Sequence, residues 1–225
     1  MKVVPPKTLK PRKTPLQARS TATVDAIFKA TIQVLLAEGA ARLTTTRVAE
    51  RAGVSVGTMY QYFPHKQALL YAVVQQHLTE FIAAFEAACV ILEKGTLATI
   101  ADGIVNAFLD IKIRQPDVTR ALYKIAAELD TEELRVGTAK RLQDACSKLL
   151  DSAIDANFND LPDISFTLLT AMNGTTRAVF EFGAQPHMIH VLRTQLLVLC
   201  RGYLQTAGEP SIKQHKKPET QGKAI

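Results

Sequence analysis

Few residues in this sequence have the types and spacing that catalysis or metal binding needs. His187 and His190 are three apart, as two metal ligands on one helix can be, but no third ligand or carboxylate has a suitable spacing. Cys89, Cys146 and Cys200 form no CxxC pair. The sequence contains no GxSxG, Walker or dinucleotide-binding motif. We therefore expect a protein that is not an enzyme and that uses no metal and no cofactor.

One short stretch has residue types suited to a nucleic acid. AGVSVGTMYQYFPHK, residues 52–66, combines two glycines, two tyrosines, a phenylalanine, a proline and two basic side chains. Tyrosine hydroxyls can donate to phosphate oxygens, and a lysine at a helix N-terminus lies beside amide hydrogens that also favour phosphate. The alternative is a small aromatic core beneath the next helix, and we favour that interpretation for Phe63. For Tyr60 and Tyr62 we expect phosphate contact.

The distribution of charge supports the same assignment. The net charge is +6, but residues 1–67 contain eleven Lys or Arg against three Asp or Glu, whereas residues 68–206 contain twelve against sixteen. A basic first third on a mildly acidic body indicates that one end meets a polyanion. A basic tail that only improves solubility is the alternative.

The composition and the positions of the helix-ending residues predict an all-α protein. At 225 residues and 47% hydrophobic, the chain can bury a core, which excludes disorder throughout. There is no export signal and no long uncharged apolar stretch, so we expect a cytoplasmic protein that does not contact a membrane. No alternating strand pattern competes with the helical periodicity. We expect about nine helices, the first ended by Gly39 and the second begun by Thr44 or Thr45 and ended by Gly53.

The helical pattern also predicts the domain organisation. After Pro64 a helix of 28 or more residues begins, which is long enough to join two domains. The predicted units are a disordered basic arm (1–17), a three-helix DNA-binding domain with a helix-turn-helix (18–66), a larger C-terminal helical domain (67–206), and a disordered tail (207–225).

Within the first domain, a third helix from about Val56 to Tyr62 is the candidate for reading DNA. Ser55 can cap it by accepting the amide hydrogen of Thr58. Met59 and Phe63 would face inward, which leaves the first turn and the outer faces exposed. A recognition helix presents side chains to base edges in the major groove from such a turn.

The sequence TTTRVAERAGVSVGTMYQYFPHKQALL resembles the helix-turn-helix of TetR-type (TetR/AcrR family) transcriptional regulators. About twenty positions match in order, and the resemblance covers about residues 18–75. It implies a DNA-binding transcriptional regulator. The implied DNA-contacting residues, together with the cap and first turn of the third helix, are Thr45, Thr46, Arg47, Ser55, Val56, Gly57, Thr58, Tyr60, Gln61, Tyr62, His65 and Lys66.

Two positions depart from the family pattern. His65 stands where Ser, Asn or Asp is usual before the long helix, and Gln67 stands where an acid is usual. We expect a weaker or charge-dependent cap. If protonated His65 contacts phosphate, affinity for DNA should rise below about pH 6.5. In the basic arm, Arg19 is a further candidate for DNA contact, with a solvated leader as the alternative.

The C-terminal part is expected to dimerise and to bind a small molecule. Its last two helices carry surplus apolar side chains, and the resemblance implies a homodimer on a palindromic operator in double-stranded DNA, with a buried core helix of a monomer as the alternative. The candidate dimer residues are Leu192, Leu196, Leu199 and Tyr203. The candidates for contact with an effector of unknown identity, for which core packing is the alternative, are Phe108, Tyr123, Met172, Asn173, Arg177 and Phe180.

These observations favour a repressor that a small-molecule effector releases from its operator. Repression is favoured because a dimer on a promoter blocks polymerase without any further contact. An architectural or accessory DNA-binding protein without an effector pocket is the alternative. A catalytic helical protein with a vestigial helix-turn-helix is a third, weaker hypothesis.

Overall fold

The computed structural model describes residues 18–210, with side chains from residue 20, and this part of the chain is all-α apart from one short strand pair. The expected fold class is confirmed. Residues 1–17 and 211–225, which include the predicted basic arm and most of the predicted tail, lie outside the described residues. The helices of the described part are α1 (Ala18–Arg42), α2 (Thr45–Ala52), α3 (Val56–Tyr62), α4 (Lys66–Leu92), α5 (Leu97–Arg114), α6 (Pro116–Glu128), α7 (Glu132–Asp151), α8 (Leu161–Glu181) and α9 (Pro186–Ala207).

Caps and glycines set the bounds of the first helices. The Thr44 hydroxyl accepts the amide hydrogen of Arg47 at 3.3 Å at the start of α2. Gly53 ends α2 in the left-handed region, with φ 68°. Gly39, with φ 79°, interrupts α1 where the sequence predicts its end, and helical backbone resumes briefly as far as Arg42.

The helices enclose two hydrophobic cores. The first core holds α1, α2 and α3 against the first half of α4, and α6 adds Val118, Leu122 and Ile125 to it. This core therefore extends beyond residue 66, where the sequence places the domain boundary. The reason is that α6 returns to pack on α1, a long-range contact that local periodicity does not reveal.

The second core joins the rest of α4 to α5, α7, α8 and α9. Cys89, Cys146 and Cys200 lie in it as free thiols. Burial raises the pKa of Cys89 to about 11 and of the other two to about 12, so all three thiols stay protonated at neutral pH. Within the described residues the cysteines therefore act as small apolar side chains.

A two-stranded antiparallel pair corrects the prediction of a disordered tail from residue 207. The strand Ala156–Asn157 pairs with Glu209–Pro210, and Asn159 Nδ2 donates to Glu209 Oε1 at 2.9 Å. Residue 207 itself is the last of α9. Strands of two residues are too short to produce an alternating pattern, which is why the sequence does not predict them.

None of the helices between residues 18 and 210 combines the length and the apolar character that crossing a bilayer requires.

Candidate nucleic-acid interface and effector region

The first turn of α3 is exposed, whereas the inner face of this helix is buried. Met59 is completely buried and Phe63 is 1% exposed, and both belong to the first core. Ser55 Oγ accepts the Thr58 amide hydrogen at 2.9 Å, which caps α3. With its inner face fixed in this way, α3 leaves Val56 and Gln61 exposed to solvent.

Gly57 marks the most open point of this turn. A β-carbon built at Gly57 would meet only Ser55 Oγ, at 3.7 Å. The Thr58 hydroxyl lies 2.8 Å from Ser55 Oγ, so it is already engaged in the cap. The absence of a side chain at Gly57 therefore allows a binding partner to approach the backbone of α3 closely.

Thr45 and Tyr60 join the start of α2 to the end of α3. Their hydroxyls lie 3.2 Å apart, Thr45 is 8% exposed, and Tyr60 is 42% exposed. Tyr62 is half-buried, with its ring centroid 6.3 Å from that of Phe63. The Tyr60 hydroxyl thus has an internal partner in addition to any partner on a bound molecule.

Two of the cations expected at DNA are anchored to the end of α1. Arg47 forms an ion pair with Glu38 and also donates to the Arg42 carbonyl oxygen at 3.3 Å. Lys66 Nζ donates to the Ala40 carbonyl oxygen at 2.5 Å. These cations therefore brace α2 and α4 against α1, a role that requires contacts distant in sequence.

The remaining residues of this surface differ in exposure. Thr46 is exposed, and so is Arg51, one turn after Arg47 on α2. Sequence reasoning missed Arg51, although its i+4 spacing from Arg47 was a usable signal. Arg19 belongs to α1 by its backbone, and its side chain lies outside the described part.

His65 caps α4 as an acceptor. Its Nδ1 atom accepts the Ala68 amide hydrogen at 3.1 Å, so this nitrogen carries no proton in the observed arrangement. His65 therefore supplies the cap that Ser, Asn or Asp supplies in the family pattern, and the expected charge dependence of this cap stays a prediction.

The predicted effector residues separate into two groups. Phe108, Met172 and Phe180 are buried, and Tyr123 packs edge-on against Phe180 with ring centroids 6.0 Å apart. Asn173 and Arg177 lie on the exposed face of α8, and Arg177 pairs with Glu181. Both precede Phe180 on one side of the helix, by seven and three residues, and so lie beside the buried stripe. Burial raises the pKa of Tyr123 and the charge of Arg177 opposes that effect, so the Arg177 charge lies near the Tyr123 hydroxyl.

A buried lysine that no local pattern singles out lies among these aromatics. Lys112 is 6% exposed, and its Nζ atom donates to Tyr123 Oη at 2.9 Å. Nζ also lies over the rings of Phe81, Phe108 and Tyr123, at 4.3, 4.9 and 5.3 Å from their centroids. Burial lowers the pKa of Lys112 to about 8.

The predicted dimer residues also differ in exposure. Leu192 and Leu196 are buried in the second core, so these two assignments are wrong: the side chains have no surface to offer a partner. Leu199 is exposed and Tyr203 is half-buried. The apolar residues with large exposed area on the outer faces of α8 and α9 are Phe166, Val191, Val198 and Leu199.

Among the described residues, no group of three or more His, Cys, Asp or Glu side chains is arranged to hold a metal ion, and His187 and His190 are no exception.

Comparison with known proteins identifies the family. The profile described as bacterial regulatory proteins, tetR family, matches residues 27–73, and the profile described as Tetracyclin repressor-like, C-terminal domain, matches residues 96–204. This chain belongs to the TetR family. The resemblance stated from residues 18–75 is thereby confirmed, and the matched segments include both the helix-turn-helix and the C-terminal helices.

Several sequences and structures are distantly similar to this TetR-family chain. Nucleoid occlusion factor SlmA of Actinobacillus pleuropneumoniae is 31% identical over 106 residues, 46% of this chain and 50% of that protein. The chain spans about half the length of the curated relatives it matches. A TetR transcription regulator from Haloarcula marismortui covers 84% of this chain and 100% of its own, with TM-score 0.68 and 18% identity. SmeT, the repressor of the Stenotrophomonas maltophilia multidrug efflux pump SmeDEF, covers 84% and 93%, with TM-score 0.62 and 17% identity. At such identities the structures show a shared fold.

In this TetR-family protein, α6 lies between the two candidate regions. One face of α6 contributes Val118, Leu122 and Ile125 to the first core, and the other carries Tyr123 to Lys112. A groove of about 410 Å³ separates α1 from α4 and is lined by residues that include Gln115, immediately before α6. Displacement of α6 would therefore act on the helices that hold α3.

Proposed function

We propose that this chain is a dimeric transcriptional repressor that binds a palindromic operator through α3 and leaves it when a small molecule occupies the C-terminal helices. The observation that carries the proposal of DNA binding is that the first turn of α3 is exposed while the inner face of the helix is buried. Its inner face is fixed by Met59 and Phe63, so the turn can enter a groove without rearrangement.

The DNA surface that we propose is narrower than the set expected from sequence. Thr46, Val56, Gly57 and Gln61 are the exposed positions nearest to a groove, and Arg51 supplies an exposed cation on α2. Thr45, Arg47 and Lys66 support this surface through their internal partners. We propose that any phosphate contact of Tyr60 uses the hydroxyl already oriented by Thr45.

The second copy is proposed to cover the outer faces of α8 and α9. Phe166 on α8 and Val191 and Val198 on α9 are large apolar side chains that are between 54% and 63% exposed, which indicates a surface that a partner covers. Gly174 and Gly202 are exposed on these helices, and a β-carbon at either would meet nothing within 4 Å. Such positions let partner helices approach closely. Two-fold symmetry would place the two α3 helices about one DNA turn apart.

Release by an effector follows from linkage. A small molecule can shift the protein away from DNA only by as much as it prefers the state that does not bind DNA. The proposed route is α6, which packs on α1 with one face and reaches the aromatic group with the other. Binding to an operator also implies work in the cytoplasm, where the DNA of a bacterium lies.

Selection of bound fragments from genomic DNA tests the proposal. We expect a palindromic consensus, protection of two half-sites about one helical turn apart, and a stoichiometry of one dimer. Gln61→Glu should weaken binding at least about tenfold because it puts a carboxylate beside the DNA. Lys124→Gln, which changes the charge equally on the exposed side of α6, serves as the matched control. Fragments without symmetry, or equal effects of the two variants, would contradict the proposal.

An accessory DNA-binding protein without an effector is the second candidate function. The observation that favours it is the close packing of the aromatic group, in which Phe81, Phe108 and Phe180 are each 3% exposed or less. It predicts weak operator preference and no release of DNA by small molecules. A screen of small molecules against the selected operator complex separates the two functions.

A further inference from the structure

Lys112 is a buried cation whose charge is poorly compensated. Its ammonium group has three donors, and its hydrogen-bond partner in the structure is Tyr123 Oη. Within the described residues no carboxylate lies within 4 Å of Nζ, and no ion pair includes it. Three aromatic rings stabilise the charge in part. A buried charge of this kind favours any anion that can reach it.

The surroundings of Lys112 define the rest of a ligand. The rings of Phe81 and Phe108 pack edge-on at 5.3 Å, and the Tyr123 ring packs against Phe180. Met172, also buried, lies on the same face of α8 as Phe180, two turns before it. These side chains suit the apolar or aromatic part of a small molecule, and they offer that part few hydrogen bonds.

A second buried polar group lies on the same face of α8. Thr176 is one turn from both Met172 and Phe180, it is completely buried, and its hydroxyl has no hydrogen-bond partner among the described residues. Buried hydroxyls are normally paired, so an isolated one next to a ligand-sized group of rings indicates a partner that arrives from outside the chain. A ligand oxygen could accept from Thr176 Oγ1.

We infer that the effector of the proposed repressor is an organic anion, namely a carboxylate with an apolar or aromatic body, and that its carboxylate pairs with the Lys112 ammonium. The inference rests on the proposed function and adds to it the chemical class of the ligand and the residue that selects it. The body would lie among Phe81, Phe108 and Phe180, with Thr176 as a second polar contact.

The same contacts connect the ligand to the DNA-binding helices. Lys112 and α6 are joined twice, because Tyr123 Oη accepts from Nζ and Thr119 Oγ1 donates to the Lys112 carbonyl oxygen at 2.9 Å. A carboxylate at Nζ competes with Tyr123 for the ammonium, and its body needs space between α5 and α6. The ligand therefore pushes α6 away from α5 and toward α1, which α6 already contacts.

Acid–base chemistry provides a signature of the pair. Binding needs protonated Lys112, so carboxylate affinity should be constant below about pH 8 and fall as pH rises further, by up to about tenfold per unit. The Lys112 charge acts on His77 of α4, as does the charge of Glu80, and the Lys112 partner Tyr123 of α6 feels the charges of Arg177 and Glu181 on α8. His77 has its pKa lowered first by burial and then by the charge of Lys112, and burial raises the pKa of Tyr123 to about 12. Neither group gains or loses a full charge in the window just above pH 8.

Matched probe pairs test the inference on the full-length protein. The probes are octanoate with octanamide and 4-phenylbutanoate with 4-phenylbutanamide, each up to about 10 mM. Binding is read by calorimetry and by release of the selected operator. Lys112→Met removes the ammonium and keeps the apolar stem, and Lys124→Met makes the same change at an exposed position of α6.

We expect at least one carboxylate to bind wild type and Lys124→Met at least about tenfold more tightly than it binds Lys112→Met, and more tightly than its amide binds wild type. Equal binding by Lys112→Met, equal binding of acid and amide, or no binding of either acid would overturn the inference. Operator binding by Lys112→Met is a separate readout. If it persists while carboxylates have no effect, the proposed DNA-binding function stands and only the inference fails.

Discussion

The hydroxyls of Thr45 and Tyr60 lie 3.2 Å apart and link the first turn of α2 to the last turn of α3. A hydrogen bond between residues fifteen apart in sequence therefore supports the position of α3, the helix proposed to face DNA. This contact changes the meaning of two residues that the family pattern assigns to DNA. Thr45 and Tyr60 each stabilise the free protein through this hydrogen bond. A mutation of either residue can therefore lower the affinity for DNA even if the residue does not contact DNA.

A double-mutant cycle separates bracing from phosphate contact. Thr45→Val and Tyr60→Phe each remove one hydroxyl and keep most of the shape, so each should cost about 1 kcal/mol of stability. If bracing is the whole role, both variants should lose similar DNA affinity, and the double variant should lose little more. A phosphate contact by Tyr60 would appear as a larger affinity loss in Tyr60→Phe than in Thr45→Val. Urea unfolding and fluorescence anisotropy on the operator measure the two quantities.

Gly57→Ala should weaken DNA binding without harming the fold. A β-carbon there meets only Ser55 Oγ, at 3.7 Å, and alanine favours the helix by up to about 1 kcal/mol. We expect an unchanged or raised melting temperature together with a loss of operator affinity of about tenfold, because the added methyl group holds the turn away from base edges. Unchanged affinity would show that Gly57 does not approach DNA closely.

Val198→Asp tests the proposed dimer surface against a matched position. Val198 is 63% exposed on α9, and Val136 is 62% exposed on α7, so both substitutions should cost the protomer little stability. We expect Val198→Asp to shift the dimer toward monomer, because a charge at the centre of an apolar interface is left unpaired. Val136→Asp should stay dimeric. Light scattering across a dilution series measures the difference, and equal behaviour would move the interface elsewhere.

His65→Ala should weaken the cap of α4. Nδ1 of His65 accepts the Ala68 amide hydrogen at 3.1 Å, and alanine has no acceptor, so this variant should lose about 1 kcal/mol of stability. His65→Asn keeps an acceptor and should lose little. Urea unfolding of the three proteins measures the difference, and equal stability of all three would show that the cap contributes nothing. The expectation from sequence that protonated His65 strengthens DNA binding is tested by anisotropy on the operator with wild type and His65→Asn.

Local signals predicted the helix-turn-helix closely, and the structure shows why they sufficed there. Thr44, Gly53 and Ser55 are caps and turns whose partners lie within four residues, so their chemistry is readable from the sequence alone. The predictions that depended on packing fared differently. Leu192 and Leu196 belong to the second core together with residues of α4 and α5, and an apolar stripe does not say whether a protomer core or a partner covers it.

The candidate effector region shows the same limit. Phe108, Met172 and Phe180 could be selected as apolar positions, but Asn173 and Arg177 were selected as polar neighbours in sequence and are exposed on α8. Lys112 was missed because a lysine in an amphipathic helix normally reaches solvent. Its burial results from Phe81 and Tyr123, which belong to other helices.

The stability of the protein should rise as pH rises through the range in which Lys112 loses its proton, because the buried charge of Lys112 is unfavourable. Burial lowers its pKa from 10.5 to about 8. Below about pH 8 both folded and unfolded chains bind the proton, so the full cost of the buried charge is present. Between about pH 8 and 10.5 the unfolded chain binds more protons, so this contribution raises stability as pH rises.

Lys112→Met should therefore be more stable than wild type at pH 7, by about 1–3 kcal/mol after allowance for the lost cation–π contacts. This advantage should shrink as pH rises from about 7 to 10. Lys124→Met, at an exposed position, should show neither the gain nor the trend. Urea unfolding of the three proteins at several pH values measures it. A Lys112→Met protein that is less stable than wild type at pH 7 would mean that the three rings and the Tyr123 hydroxyl compensate the buried charge fully, in which case the fold has no need of an anion beside it.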